Sequence, residues 1–563
     1  MQNCINFDIS DAFFGGNIAK RKIVCYSPCC DKTVTAQQTE DNIFMYSSVI
    51  TGAVTGIEST LCLVEADVAK GMPGFEMVGQ LGNEVREARE RVKVALKNAK
   101  VEIPAIHLTV SISPADLRKE GASYDLPIAV GVLIGLGVIP EENVNGTLII
   151  GELGLNGEIK PVKGVLPIVN CAKNNGLRRC IVPKENVREG AVLSKAAGEK
   201  GIEVIGVSTL LEAINYLKAD EEKKLSLIPP AECTESDFLG KEEQIPDFAD
   251  INGQEAVKRA VEIAAAGFHH ILMIGPPGSG KTMIAKRIPS ILPDLSMEEG
   301  LEVSTIYSVA GMLENGNPLI AKRPFMDPHH TISEQALAGG GRIPKPGIIS
   351  LAHRGVLFMD ELPEFRRSTL EILRQPLEDK KIHIARTQGN FIYPADFMLV
   401  AAMNPCPCGY FPDRNQCTCS EGEVKRYLSK ISGPILDRID VTIEAPKVDI
   451  KQLSVTVKNE SSADIRARVL AARNLQRKRY KGTKYHFNAE LSGGDINRFC
   501  PLGTKEQELL EQIFARMNLS ARAYHKMIKV ARTIADLEGA NEIDCGHLSE
   551  AACYRINDTK YRN

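Results

Sequence analysis

A multidomain chain of the α/β class is predicted by three features of the 563-residue sequence. Short apolar runs alternate with helix-like segments over residues 45–218, the strand-like "ILMI" at 271–274 runs straight into "GPPGSGKT" and a helix, and from about 449 onward the pattern is helical. At ~150–200 residues per domain the length accommodates about three domains, and 44% apolar content is ample for their cores.

In chain order, residues 1–44 are weakly patterned and contain cysteines, with no basic start followed by an apolar run; they read as an extension ahead of Met45, an alternative start, and not as a secretory signal. Residues 45–218 carry the strand-like "STLCLVEADV", the helix "NEVREARERVKVALKNAK", then "HLTVSIS", "TLIIGEL", "RRCIVP" and "IEVIGV", an α+β or α/β domain. The longest apolar stretch, 126–140, falls short of the ~20 residues a membrane span needs and is expected as a buried core helix, so no membrane partner is expected. Residues 219–245 are charged, aperiodic and contain Pro229-Pro230, which predicts a linker. A second domain is expected over 246–448, and helices over 449–563, where "TKEQELLEQIFARM" and "ARAYHKMIKVARTIADLEG" keep a 3.6-residue spacing. No internal repeat is apparent.

The formal charge of −3 creates no global field for nucleic acid, so any such contact must be local. One local patch, 465–486, holds eight Lys or Arg and no acid, with Tyr480 and Tyr485 interleaved; the competing reading is a solvated helix face. Apart from one cluster of four, the cysteines are scattered and odd in number, which suits a reducing, cytoplasmic setting better than a disulfide framework.

The loop Gly275-x-x-x-x-Gly280-Lys281-Thr282 sits between an apolar strand and a helix. Gly275, Gly278, Ser279 and Gly280 let consecutive backbone N–H groups curl around phosphates, the helix N-terminus adds its dipole, Lys281 supplies a charge at the β/γ positions, and Thr282 is a Mg²⁺ ligand. These residues predict ATP and Mg²⁺ as ligands. Asp360 and Glu361 follow the apolar "VLFM", Asp360 placed to hold Mg²⁺ through water and Glu361 to polarise an attacking water as general base.

Four cysteines, Cys406-x-Cys408 and Cys417-x-Cys419, flank the return loop "GYFPDRNQ" just behind the strand-like "DFMLVAAMN". They can close a tetrahedral thiolate site, with structural Zn²⁺ the leading ion; a three-thiolate site, an iron–sulfur cluster and plain loop cysteines are the alternatives. Ahead of them "LEDKKIHIARTQGNFIYPADF" predicts a hairpin, alternating through Ile382 and Ile384, turning at Gln388-Gly389-Asn390 and returning through 391–393.

With those motifs in place, "INGQEAVKRAVEIAAAG", "PHHTISEQALAGGGRIPKPGIISLAHRGVLFMDELPEF", "LSGGDINRF", "LSARAYHKMIKVARTIADLEG" and "HLSEAACYR" resemble the magnesium-chelatase-like YifB/ComM family of AAA+ ATPases, over about 45–562. The resemblance implies a Lon-protease-like α+β domain (ribosomal S5 domain 2-like), a P-loop AAA+ domain with a zinc-knuckle-like insertion at 406–419, and a helical lid. It implies Asn404 as the sensor-1 residue placing the lytic water, Arg438 as an arginine finger reaching a neighbour's γ-phosphate, and Arg522 as the sensor-2 arginine closing the lid over nucleotide. A finger acting in trans implies a ring, which the resemblance makes homo-hexameric; for Arg438 the competing reading is a surface ion pair with Asp437 or Asp440. In this branch the hairpin points into the ring pore, which makes Lys380, Lys381 and Arg386 candidate DNA contacts, although exposed lysines also serve solubility.

Within the Lon-like domain, Ser123 falls at the nucleophile position and Leu166 where its lysine partner is expected. The dyad is lost, and the domain is expected to be a binding or assembly module open to a protein partner. The implied function is a Mg²⁺-dependent ATPase that acts on DNA as a branch-migration helicase or translocase in recombination or natural transformation. The alternatives are a metal-chelatase motor subunit and a protein-remodelling ATPase without DNA activity.

Overall fold

The computed structural model describes residues 46–195, 201–232, 245–313, 318–342, 344–386, 389–447, 459–517 and 519–555. The extension 1–44, residues 233–244 of the expected linker, the expected boundary at 448–449 and the turn residue Gln388 lie outside the described residues.

The first sheet has seven strands in the order Gly74–Val78, His107–Ser113, Glu58–Ala69, Tyr46–Thr55, Thr147–Ile149, Arg179–Pro183, Glu203–Val207. Tyr46–Thr55, Glu58–Ala69 and His107–Ser113 pair antiparallel, and the remaining ladders are parallel. The period-2 pattern sets the faces: Cys62, Val64, Ala66 and Val68 enter the core while Leu63 and Asp67 face outward. The apolar stretch 126–140 contributes the helix Asp125–Gly135, every residue of which is buried, which is why it reads apolar all round. Its first residue is a buried carboxylate, compensated by Arg91 at 2.6 and 2.9 Å and by the Leu153 N–H at 3.2 Å. No helix among the described residues is long and apolar enough to cross a membrane.

The segment expected as an aperiodic linker opens instead with a helix, Glu221–Leu227. Lys224 is buried and pairs with Glu221 at 2.7 Å, Glu221 also takes Arg179, and the Ala231 N–H donates to Val204 O at 2.9 Å. These ties to the sheet edge, invisible in local composition, order the stretch.

The second sheet has five parallel strands, in the order Phe325–Met326, Val356–Met359, Met398–Met403, Ile271–Ile274, Val441–Glu444. Its three central strands are buried throughout, which explains their unbroken apolar runs. The helix Glu255–Gly267 shares its core with Ser462–Arg479 and Ala521–Leu537. Gly493–Phe499, Thr504–Met517 and Cys545–Cys553 complete the helical C-terminal part that the spacing predicts. Between the two sheets the Gly164 N–H donates to Ser308 O at 3.1 Å, and the Ser308 hydroxyl donates to the buried Glu189, which also takes the Leu166 N–H at 3.0 Å.

The hairpin forms as Lys381–Arg386 and Gly389–Pro394, with Ile382, Ile384 and Tyr393 buried and Lys381 and His383 exposed. Arg386 pairs with Gly389 and Ala385 with Asn390, so Gly389 and Asn390 belong to the return strand and not to the turn where the sequence reading put them.

The basic patch requires a larger correction. Tyr480 and Tyr485 are core residues, 2% and 7% exposed. Arg466 pairs with Asp294, Arg468 with Glu262 and Glu460, and Arg479 with Asp536. Arg473 is buried, 3.8 Å over the Phe487 ring, and donates to Ala265 O. Half of the patch therefore fastens the helix Ser462–Arg479 into the molecule, and its aromatic residues offer no stacking surface.

Candidate active site

Three adjacent strands of the parallel sheet end at one place, the carboxyl edge where such sheets bind ligands. Ile271–Ile274 leads into the loop 275–282, Val356–Met359 into Asp360, and Met398–Met403 into Asn404. The Gly275 N–H donates to Met403 O at 3.1 Å, which locks the loop's first residue to the neighbouring strand. Gly278 and Gly280 have φ of 75° and 87°, a conformation that costs a residue with a Cβ about 1–2 kcal/mol.

Lys281 is 8% exposed and folds back on its own loop, donating to Gly275 O at 2.7 Å, Pro276 O at 2.9 Å, Ser279 Oγ at 3.3 Å and Asn404 Oδ1 at 3.4 Å. Burial lowers its pKa, with Asp360 opposing the shift. A desolvated ammonium held by carbonyls, beside a cradle of glycine amides, fits a polyphosphate. Thr282 Oγ1 donates to Asp360 Oδ2 at 2.6 Å, placing a hydroxyl and a carboxylate where a hard divalent cation is bound directly or through water. Asp360 also takes the Glu361 N–H at 2.9 Å.

Glu361 adopts φ 51°, and its half-exposed carboxylate lies 3.4 Å from His330 Nδ1. Sequence reasoning assigned no role to His330, although the "PHHT" stretch drew notice as part of a block. It also missed Asp327, just behind the edge strand Phe325–Met326, whose carboxyl is pushed up by burial and by Asp360 while Lys286, at 3.8 Å, opposes. Both were unreadable because they reach the site through strand order and not through spacing.

The four cysteines converge. Their sulfurs all lie within 4.8 Å of one another, with Sγ separations of 3.4 Å (406–408), 3.6 Å (408–417) and 3.8 Å (406–417). A tetrahedral site with metal–sulfur bonds of ~2.3 Å has edges of about 3.8 Å, so this set fits four-thiolate ligation. The Phe411 N–H donates to Cys406 Sγ at 3.3 Å, the outer support such sulfurs take. Burial resists ionisation of Cys408, yet backbone N–H groups at Tyr410 and Thr418 bring its pKa down to about 6. Gly409, with φ 87°, lies against the phosphate loop: a Cβ there would sit 2.9 Å from Pro277 Cγ and nearer still to its Cδ.

The remaining candidates are placed as follows. Lys380 is engaged with Asp396 and Glu490 at the base of the hairpin, whereas Lys381 and Arg386 are exposed on it. Arg438 pairs with Glu378, not with Asp437 or Asp440; Asp440 instead takes Lys526 at 3.0 Å. Arg522 is largely exposed, 3.7 Å from the same Glu378. Ser123 lines a cleft of about 640 Å³ together with Arg118, Glu120, Lys163 and Lys345, while Leu166 is buried in the core.

Family models described as "Magnesium chelatase, subunit ChlI", "Subunit ChlI of Mg-chelatase" and "Magnesium chelatase, subunit ChlI C-terminal" match residues 247–453, 64–186 and 459–555. The competence protein ComM of Haemophilus influenzae is 41% identical over 508 residues, 90% of this chain and 97% of that protein. The protein YifB of Escherichia coli K12 is 41% identical over 513 residues, 91% of this chain and 97% of its own length. An archaeal Lon protease of Pyrococcus abyssi is 33% identical over 183 residues, 31% of this chain and 18% of that protein, in the N-terminal region.

Proposed function

The chain belongs to the magnesium-chelatase ChlI-related AAA+ family that includes YifB and ComM, and from that footing we propose that it is a cytoplasmic, ring-forming, Mg²⁺-dependent ATP hydrolase that moves DNA strands. The observation that carries the hydrolase part is the meeting of Lys281, the Thr282–Asp360 pair, Glu361 and Asn404 at the ends of three neighbouring parallel strands.

Bound MgATP supplies the γ-phosphoryl group and the cation that neutralises its charge. The chain's own residues do the rest. Lys281 exchanges its loop carbonyls for phosphate oxygens, Thr282 and Asp360 hold the cation's site, Glu361 orients and deprotonates a water, and Asn404 places that water from the adjacent strand. The partners of Arg438 and Arg522, Glu378 and Pro434 O, are not residues of the phosphate loop 275–282, and both arginines are read as serving a nucleotide on the next copy of a closed ring, proposed as six subunits. The C-terminal helices act as the lid, and the N-terminal domain, Lon-like in fold, as a module for a protein partner. A structural Zn²⁺ in the four-cysteine site supplies metal–thiolate bonds that hold the loop 406–419 in shape.

The DNA substrate draws on the name of the competence protein among the relatives and on Lys381 and Arg386, exposed on the hairpin. A metal-chelatase motor is the second reading, favoured by the descriptions of the matched families, one of which also covers 64–186 of the N-terminal domain. ATP turnover measured with and without single-stranded and four-way-junction DNA separates the two: stimulation by DNA supports strand movement, and indifference to every DNA rejects it.

A further inference from the structure

Arg438 and Arg522 come from distant parts of the chain, one just past the helix Gly433–Leu436 and the other in the first turn of Ala521–Leu537. They meet at one carboxylate. Glu378, near the end of the helix Arg374–Asp379, pairs with Arg438 Nη2 and lies 3.7 Å from Arg522 Nη2. Arg438 is not a free surface cation: its side chain is 10% exposed and Nη1 donates to Pro434 O at 2.6 Å. The following residues are fastened to the C-terminal helices, Asp440 by Lys526 at 3.0 Å and Ile439 O by Arg555 Nη1 at 2.7 Å. The segment 438–440 is therefore tied directly to the helix bearing Arg522 through Lys526 and is held separately by Arg555, just past the helix Cys545–Cys553, while Glu378 contacts both guanidinium groups.

Two like charges side by side repel and sample separate rotamers unless an anion lies between them. A single carboxylate shared by two guanidinium groups leaves one net positive charge and holds both donors in register, which is the preorganisation a phosphoryl-transfer site requires.

We propose that Glu378 is a positioning residue that holds Arg438 and Arg522 as one preorganised pair for the phosphate of a nucleotide bound by a neighbouring copy. This rests on the reading of the two arginines as acting in trans. Glu378 touches no nucleotide; it acts through the arginines.

The test is a double-mutant cycle on the full chain: wild type, Glu378→Gln, Arg438→Ala and the double variant, with Glu378→Asp as the conservative control. ATP turnover, fluorescent-nucleotide binding and melting temperature are read for each. Glu378→Gln is expected to lower kcat at least tenfold while nucleotide Kd stays within twofold, because the chain's own phosphate loop is untouched. Glu378→Asp is expected to recover part of that loss, and Glu378→Gln to cost nothing further in the Arg438→Ala background. Turnover of Glu378→Gln within twofold of wild type, multiplicative losses in the double variant, or a rise in turnover would each overturn the proposal, the last by showing that Glu378 withholds the arginines. If Arg438→Ala itself leaves turnover intact, the trans reading falls and the proposal with it, whereas a damaging Arg438→Ala beside a silent Glu378→Gln rejects the proposal alone.

Discussion

Gly409→Ala probes the contact between the cysteine loop and the phosphate loop. At φ 87° an alanine incurs about 1–2 kcal/mol of backbone strain. Its Cβ would also press into the Pro277 ring, 2.9 Å from Cγ and nearer to Cδ, an overpacking of about 1–3 kcal/mol. The sum is about 3 kcal/mol; at about 2–4 °C per kcal/mol for a domain of 150–250 residues, the melting temperature should fall by roughly 6–12 °C. If the clash is relieved by moving Pro277, and about 1.4 kcal/mol of it reappears as distortion of the phosphate loop, nucleotide affinity falls about tenfold. Differential scanning fluorimetry and fluorescent-nucleotide titration read the two effects. Gly422→Ala is the matched control, since a Cβ at that helical position in Glu421–Leu428 meets nothing within 4 Å, and it should be neutral or slightly stabilising. A Gly409→Ala protein that melts within 1 °C of wild type and binds nucleotide unchanged would refute the coupling of the two loops.

Further outcomes follow from the same geometry. Cys417→Ser should remove bound zinc and lower melting temperature and turnover together; loss of zinc with both unchanged would contradict a structural role for the site. His270 is partly buried, its Nδ1 accepting the Leu399 N–H at 3.0 Å, and desolvation lowers its pKa to about 4. Because the unfolded chain protonates this group below about 6.5 while the folded chain resists down to about 4, stability is intact above 6.5 and declines as pH falls through that window, by at most about 3 kcal/mol; a melting temperature flat from pH 7 to 4.5 would contradict it. Mixing equal amounts of Lys281→Ala and Arg438→Ala subunits should restore roughly a quarter of wild-type turnover per site, since random neighbours pair an intact phosphate loop with an intact arginine that often; no restoration would exclude action in trans.

Much of the convergence at the candidate nucleotide site was legible because its pattern is local. The strand before Gly275, the glycine spacing and the apolar run into Asp360 are contiguous in sequence, and parallel strand order then brings Asp360 and Asn404 beside the loop. The hairpin was legible from the alternation of Ile382 and Ile384, and the four-cysteine site from its paired spacing. What was lost depends on where side chains point after packing. The arginines of 465–486 look like a solvated face, yet Arg473 enters the core and Arg466, Arg468 and Arg479 reach acids that are remote in sequence or on other elements. Glu378, His330 and Asp327 carry no motif, and their partners, Arg438, Glu361 and Asp360, lie across the fold. The helix Glu221–Leu227 escaped notice because its order comes from Arg179 and Val204 on the last two strands of the first sheet.

The central claim is that residues at the ends of three parallel strands hydrolyse ATP to drive movement on DNA. Its most direct test is steady-state ATP hydrolysis by the purified chain at moderate salt, with and without single-stranded and four-way-junction DNA, beside Glu361→Gln. The account predicts turnover that rises with DNA and falls by about 100-fold or more in Glu361→Gln. Hydrolysis that survives Glu361→Gln would contradict the site, and Glu361-dependent hydrolysis indifferent to every DNA would contradict the substrate.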